Sequence, residues 1–587
     1  MSNYFQSYIG QDILHTQSAF GYNPDWFSSR RFTIIAVHLD RVSVNYGTGP
    51  VFENLSWEIH NDRVVGLIGP NGSGKSTLLH LIAGYLSTDT GFVKLSSGLS
   101  FGILHQEPRL DLEKTVLAET LTASPELAEV EIELSRVETK LSDPDVFGDE
   151  KQLARTLDQQ AKLLAQYEEL GGAYYQNRVR GALKGLGIDQ SEFDLKIKNL
   201  SGGQKKMVEL AKLIVNQPSV LLLDEPDNHL DLAGKSFLEK FIRSYKGAVV
   251  LISHDRYLLD LVVDEIAEIE DGRLATYPGN YSEYTVEKQA RLLRQQQIYQ
   301  AHQKEVDRLQ QSAKRLLLWG KVHDNEKFVR RGKNILKRIE RMDKVDRPVL
   351  DRRRMDLEIS GWRGSNKVLE VIQLAKSFEL KEGEEHRVLD GLEMQLWHGE
   401  KVGLVGPNGA GKSVYFDLLL EKLIPDAGEI KIGPSIEVGY YAQEHETLDY
   451  ERTLIDTIRY AAPLSENAAV SFLGKFLFDY DQARGQVKNL SGGERSRLQM
   501  ALLMLSKANF LLLDEPTNNL DIASAEVLED ALDSFEGSVL VISHDRYFLD
   551  RIVDRIVELD AGKLTEYLGD YSDYLNSKNQ AKTLAQD

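Results

Sequence analysis

One glycine-rich stretch occurs twice in this chain: Gly69-Pro70-Asn71-Gly72-Ser73-Gly74-Lys75-Ser76 returns as Gly406-Pro407-Asn408-Gly409-Ala410-Gly411-Lys412-Ser413. A second motif follows in each copy, Leu200-Ser201-Gly202-Gly203-Gln204 and Leu490-Ser491-Gly492-Gly493-Glu494. Motifs recurring in the same order require two copies of one fold. Lys75 and Lys412 lie 337 residues apart, as do Gln106 and Gln443, whereas Ser201 and Ser491, Asp224 and Asp514, and His254 and His544 are all 290 apart. The first copy therefore holds 47 extra residues between Gln106 and Ser201.

At 587 residues the chain exceeds one hydrophobic core, and 42% hydrophobic residues suffice for two. The sequence divides into an N-terminal extension (1–32), a first nucleotide-binding domain (33–280) with a helical insertion at about 121–172, a basic helical linker (281–360), a second nucleotide-binding domain (361–575) and a tail (576–587). No apolar run approaches the roughly 18 residues a membrane span needs, and the first residues lack the apolar centre of a signal peptide, so a cytoplasmic location is expected. The chain contains no cysteine, which excludes disulfides, thiolate metal sites and cysteine catalysis. Net charge is −20, yet Glu287–Arg354 holds 20 Lys and Arg against 9 Asp and Glu. The basic charge is thus concentrated in the linker.

Short apolar runs such as Val220-Leu221-Leu222-Leu223 and Phe510-Leu511-Leu512-Leu513 alternate with helical text, predicting an α/β fold with mostly parallel sheets. The extra residues read as a helical hairpin. Leu127, Val130, Leu134, Val137 and Leu141 mark one inward face, and Leu157, Ala161, Leu164 and Tyr167 the other. The linker reads as a second hairpin, with Leu309, Ala313 and Leu316 facing Ile335, Ile339 and Met342, a break near 319–325, a stop at Pro348, and Lys327, Arg330, Arg331 and Lys333 near its tip.

The glycine loop chemistry follows from its spacing. A G-x-x-x-x-G-K-S loop between strand and helix curls successive N–H groups around β- and γ-phosphate oxygens, and the helix N-terminus adds favourable potential. Gly69, Asn71, Gly72, Gly74, Thr77, Gly406, Asn408, Gly409 and Gly411 belong to these cradles. Lys75 and Lys412 are expected to neutralise the phosphates, while Ser76 and Ser413 ligate Mg²⁺. Asp224 and Asp514, ending apolar strands, suit the hold on the metal, and Glu225 and Glu515 suit the general base that polarises water. His254 and His544 are expected at the γ-phosphate. Gln106 and Gln443 are placed to close onto metal and water, and Tyr46 and Phe378 to stack an adenine face.

Glycine loop, glutamine, Leu-Ser-Gly-Gly-Gln/Glu, Leu-Leu-Asp-Glu-Pro and switch histidine together resemble the ATP-binding cassette (ABC) superfamily across nearly the whole chain. Fused cassettes, a charged helical linker, the absence of a membrane domain, and the pair Tyr277-Pro278-Gly279-Asn280-Tyr281 and Tyr567-Leu568-Gly569-Asp570-Tyr571 resemble the ABC-F family within it. The resemblance implies a monomer whose cassettes form a head-to-tail sandwich around two ATP molecules. Lys75 would share a site with Ser491, Gly492, Gly493 and Glu494. Lys412 would share one with Ser201, Gly202, Gly203 and Gln204. Asp231 and Asp521 would cross the interface, and closure would require ATP. The resemblance also implies ribosome binding, with the linker directed toward transfer RNA and the insertion toward ribosomal RNA or protein. The linker's charge suits salt-sensitive, shape-directed RNA contacts.

Two positions break the repeat. Val414 stands where the first copy has Thr77, and Asp227 stands where the second has Thr517, so slower or weaker nucleotide use is expected at the Lys412 site. Two other classes share the motifs. A DNA-associated repair or structure-binding ATPase would use the same linker on branched DNA, and a transporter ATP-binding subunit would need a separate membrane partner.

Overall fold

The structure, a computed structural model, describes residues 34–584 except 47–48, 106–107, 143–149, 229, 324, 343–354, 360, 380–384, 444–445 and 447. In the first half, strands β1 (Ile35–Asn45), β2 (Pro50–His60), β3 (Val64–Ile68), β4 (Thr90–Leu95), β5 (Phe101–Ile103), β6 (Val220–Asp224), β7 (Ala248–Ile252), β8 (Glu265–Glu270) and β9 (Arg273–Pro278) form two sheets. An antiparallel sheet has the order β2-β1-β4, and a six-stranded sheet has the order β5-β6-β7-β3-β8-β9. In the second half the strands are β10 (Lys367–Glu379), β11 (Glu385–Trp397), β12 (Lys401–Val405), β13 (Ala427–Ile432), β14 (Val438–Tyr441), β15 (Phe510–Asp514), β16 (Ser538–Ile542), β17 (Arg555–Asp560) and β18 (Lys563–Leu568). Their orders, β11-β10-β13 and β14-β15-β16-β12-β17-β18, repeat the first half. The expected α/β class with two tandem nucleotide-binding domains is what the fold shows.

Both larger sheets are parallel except for their last strand pair. Parallel strands covered on both faces need continuous apolar runs, and β6, β7, β15 and β16 are buried along almost their whole length. The glycine loops leave β3 and β12, each of which lies between a strand ending in Ser-His-Asp and the antiparallel edge pair. Asp224 pairs in register with Ile252, and Asp514 with Ile542. Acidic and histidine-bearing strand ends therefore lie side by side at the carboxyl edge, where such sheets bind ligands.

The extra residues of the first copy form helices Pro125–Leu141 and Glu150–Glu169, whose faces close on Val130, Leu134, Val137 and Leu163, flanked by Leu141, Tyr167 and Leu170. The second arm corrects the expected face: Leu157 and Leu164 are 47% and 46% exposed, whereas Leu163 is 7% exposed. Adjacent Leu163 and Leu164 offer two helical phases, and only the one through Leu163 continues to Tyr167 and Leu170 at steps of four and three. Leu127 instead joins the main core of the first half.

Between the halves runs a 42-residue helix, Tyr281–Val322, about 60 Å long at the α-helical rise, followed by Glu326–Glu340. Asn280 starts the first with a capping box to Glu283, and Asn325 caps the second. The arms meet where side chains are small. Ala313 is buried, a Cβ on Gly332 would come within 2.8 Å of Leu317, and one on Gly320 within 2.5 Å of Val329. Leu309, Leu316, Ile335, Ile339 and Met342 are half-buried as expected, and Lys327, Arg330, Arg331 and Lys333 are exposed; Pro348 lies outside the described residues. Among the described residues no helix is long and apolar enough to cross a membrane.

Candidate nucleotide-binding sites

Each glycine loop is held open by conformations that side chains resist. Gly69, Gly72 and Gly74 have φ of 152°, 80° and 93°, and Gly406, Gly409 and Gly411 have 155°, 79° and 98°. A Cβ on Gly69 would lie 2.4 Å from the Ile269 carbonyl oxygen, and one on Gly406 2.2 Å from that of Leu559, so neither position admits a side chain. Lys75 and Lys412 begin the helices Lys75–Ile82 and Lys412–Leu419. Lys75 Nζ donates to the carbonyls of Gly69 and Pro70 at 2.8 and 3.0 Å, and Lys412 Nζ to those of Gly406 and Pro407 at 2.7 and 3.0 Å. Both ammonium groups are thus clamped over their own loops. Burial draws both pKa values below the usual lysine range. Ser76 is half-buried and Ser413 exposed beside them.

Opposite each loop stand a carboxylate pair and a histidine. Glu225 and Glu515 adopt left-handed backbone conformations, φ 49° and 48°, which cost about 1–3 kcal/mol and gather at functional sites. Their N–H groups donate to the carbonyls of Ile252 and Ile542 at 2.9 and 2.8 Å, tying them to the adjacent strands. His254 Nε2 lies 3.5 Å from Glu225 Oε1, and His544 Nε2 lies 3.5 Å from Glu515 Oε1. Burial, reinforced by Lys75, lowers the His254 pKa to about 4, and burial with Lys412 holds His544 well below its ordinary value, so both imidazoles are neutral at pH 7. Burial followed by Asp514 pushes Glu515 up to about 8, and burial followed by Asp224 raises Glu225. Asp514 itself is raised by burial to about 6. Among the described residues Asp514 Oδ1 is buried and has no hydrogen-bond partner. Crowded, desolvated carboxylates with an unused oxygen fit a divalent cation held by one protein hydroxyl, an acidic residue and substrate phosphates, as Mg²⁺ prefers.

Each glycine loop is in contact with the opposite half. The Asn71 N–H donates to Asp521 Oδ2 at 3.3 Å and its side-chain amide to the Asn519 carbonyl at 3.3 Å, while the Asn408 N–H donates to Asp231 Oδ2 at 3.2 Å. A Cβ on Gly493 would meet the Asn71 side chain at 2.7 Å. Ser201 and Ser491 cap the helices Gly202–Asn216 and Gly492–Leu505, each with a capping box closed by Gln204 or Glu494. Both partner side chains therefore orient the serine and the helix N-terminus.

Other expected site residues are placed less closely. Gln443 is exposed just beyond β14, and Gln106 lies outside the described residues. Tyr46 and Phe378 are exposed on β-sheet strand ends, with Lys376 stacked 5.7 Å from the Phe378 ring. Thr77 and Val414 are both half-buried behind their loops. Two contact pairs escaped the sequence reading. Arg256 of the first half bonds Glu529 of the second, and Arg546 of the second bonds Glu239 of the first. Arg256 also stacks 4.5 Å from the Tyr547 ring, and Arg546 4.8 Å from that of Tyr257. All three residue types recur at the 290-residue offset, which is the signal that could have found them.

This fold and these paired sites define an ATP-binding cassette ATPase with both cassettes on one chain. A family described as ABC transporter matches residues 52–228 and 389–518, and a companion family of the same description matches 267–359. The chain is 37% identical over 549 residues to the ATP-binding protein YdiF of Bacillus subtilis (strain 168), covering 93% of this chain and 83% of that protein. It is 35% identical over 533 residues to the energy-dependent translational throttle protein EttA of Haemophilus influenzae (89% and 92% covered), and 32% identical over 557 residues to ABC transporter F family member 5 of Arabidopsis thaliana (93% and 78%). Its fold is similar to that of archaeal ribosome recycling factor aABCE1, with a TM-score of 0.56, 20% identity and 92% of each chain covered. The chain belongs to the ABC-F family and is an ATP-hydrolysing enzyme.

Proposed function

We propose that this protein binds the ribosome and uses ATP-driven closure of its two cassettes to modulate translation. The observation that carries the reading is the reciprocal grip across the halves: Asn71 on Asp521 and Asn408 on Asp231. One ATP lies between Lys75 and Ser491, the other between Lys412 and Ser201. Backbone N–H groups of the loops, the lysines and the serine-capped helix of the opposite half surround the terminal phosphate only when the halves meet. Asp224 and Asp514, with Ser76, Ser413, Gln106 and Gln443, would hold Mg²⁺, which when bound neutralises phosphate charge. Glu225 and Glu515 accept the proton of the attacking water as ionised carboxylates, a form that Lys412 favours at Glu515 against burial and that a bound cation would favour further. His254 and His544 contact the γ-phosphate as neutral imidazoles, and Tyr46 and Phe378 stack the base. Hydrolysis removes the group that joins the halves, and they separate.

The ribosome is favoured as partner by the relative named as a translational throttle and by the exposed cations Lys327, Arg330, Arg331 and Lys333 on the linker. The acidic remainder discourages indiscriminate binding to nucleic acid. The Glu225→Gln, Glu515→Gln double variant is expected to retain ATP and comigrate with ribosomes. Its confinement to the ribosome-free fraction at low salt with ATP present would overturn the proposal.

A further inference from the structure

The interface between the cassettes is nearly two-fold, and two buried charged residues break it. Arg256 and Arg546, Glu239 and Glu529, Asp255 and Asp545, and Asp231 and Asp521 are equivalent pairs at the 290-residue offset. Lys235 has Ala525 as its counterpart, and Asp227 has Thr517. Lys235 is 8% exposed, with Asp227 and Asp255 each 6% exposed around it. Its ammonium donates at 2.9 Å to Asp255 Oδ2 within the first half and at 2.9 Å to the backbone carbonyl of His544 across the interface. Although burial favours the neutral amine, Asp255 and then Asp227 hold the pKa above the usual lysine range, so the group is a cation. Burial raises the Asp227 carboxyl pKa while Lys235 opposes the rise, so the acidic residue that replaces a threonine lies enclosed near a cation rather than alone.

Geometry gives this cation a direction. Lys235 lies one turn along the helix Leu232–Ser244 from its cap residue Asp231, whose carboxylate takes the Asn408 N–H at 3.2 Å. The start of one helix thus touches both the glycine loop and the histidine loop of the opposite half. The equivalent helix Ile522–Asp533 reaches Asn71 through Asp521, but it carries Ala525 where a cation would have to be.

We propose that Lys235 is a positioning residue acting across the interface on the Lys412 site alone, fixing the His544 loop against the terminal phosphate once the halves close. The inference rests on the shared-site reading given above. Removing the tether leaves the His544 loop held from its own half alone, through the His544 N–H on Glu515, and small misplacements at a reacting centre are costly.

The test uses the full chain and the variant Asp227→Thr, Lys235→Ala, which copies the second half's own residues and removes both charges together. Single-site turnover is read in two backgrounds: Glu225→Gln, which leaves the Lys412 site active, and Glu515→Gln, which leaves the Lys75 site active. We expect kcat in the first background to fall about tenfold with KM for ATP little changed, and kcat in the second to stay within about twofold. An equal fall in both backgrounds, or none in the first, overturns the inference. Should the variant melt early, the near-isosteric Asp227→Asn, Lys235→Met pair reads the same contact. Undiminished turnover of a Ser201→Arg variant in the Glu225→Gln background would instead remove the shared-site reading itself, and with it the role of Lys235.

Discussion

The Lys75 and Lys412 sites place the same lysine, carboxylate pair and histidine at nearly the same distances, yet these groups sit in different surroundings. The Glu225 side chain is 32% exposed, receives the Asn228 amide at 2.7 Å, and has its backbone carbonyl bound by Lys206 Nζ at 2.9 Å. The Glu515 side chain is 7% exposed, receives the His544 N–H at 3.2 Å, and has Ser496 where the first half places Lys206. One carboxylate is open and flanked by a cation, and the other is enclosed. Repetition therefore preserves the lysine, carboxylates and histidine proposed to meet nucleotide while their neighbours drift, so two sites built from one motif need not turn over alike.

The most forceful way to break this comparison is to silence one site at a time. Glu225→Gln and Glu515→Gln should each reduce turnover at their own site by about 10²- to 10⁴-fold, the usual contribution of a general base. The remaining activity is expected to be several-fold lower in Glu225→Gln, which reports on the enclosed Lys412 site lacking the Thr77 hydroxyl. Equal residual rates, measured by phosphate release, would erase the asymmetry.

A smaller effect separates the two arginine contacts. Arg546→Ala strands Glu239, whose side chain is 13% exposed, whereas Arg256→Ala leaves Glu529 still bonded to Arg551 at 2.9 Å. Removing one partner of a buried pair costs about 3–5 kcal/mol when nothing replaces it. Arg546→Ala should therefore weaken ATP-induced compaction in solution scattering by up to about that amount, and Arg256→Ala by distinctly less. The opposite ranking would mean that Arg551 does not support Glu529 in the closed state.

What the sequence makes legible follows from locality. Loops, strand ends and caps are written in contiguous residues because phosphate binding needs particular residue types at fixed spacing, and buried parallel strands need unbroken apolar runs. The second hairpin arm departs from its expected face because Leu163 and Leu164 permit two phases and only packing selects between them. Lys235 could not be read at all: its partner carbonyl is 309 residues away on another cassette, and a lysine in amphipathic helical text looks like any solvated one. Arg256 and Arg546 lay between these extremes, visible as a repeat but silent about which surface they cross.

The finest difference lies in the helix caps. Gln204 accepts the Ser201 N–H at 3.1 Å and donates its own amide to Glu192 at 2.8 Å, which leaves the Ser201 hydroxyl proton free for a phosphate oxygen. Glu494 accepts both the Ser491 N–H at 2.8 Å and the Ser491 hydroxyl at 2.7 Å, so that proton is already committed, and a carboxylate stands beside the proposed phosphate position. Closing on ATP at the Lys75 site then requires exchanging one hydrogen bond for another, a net term of about 0.5–1.5 kcal/mol. Glu494→Gln copies the first half, frees the hydroxyl and removes the adjacent negative charge. ATP affinity at the Lys75 site, read in the Glu515→Gln background, should rise about threefold to tenfold by the same term, while Gln204→Glu should lower it at the Lys412 site. An unchanged affinity in Glu494→Gln would mean that Ser491 reorients without cost, and that the two caps are equivalent despite their different partners.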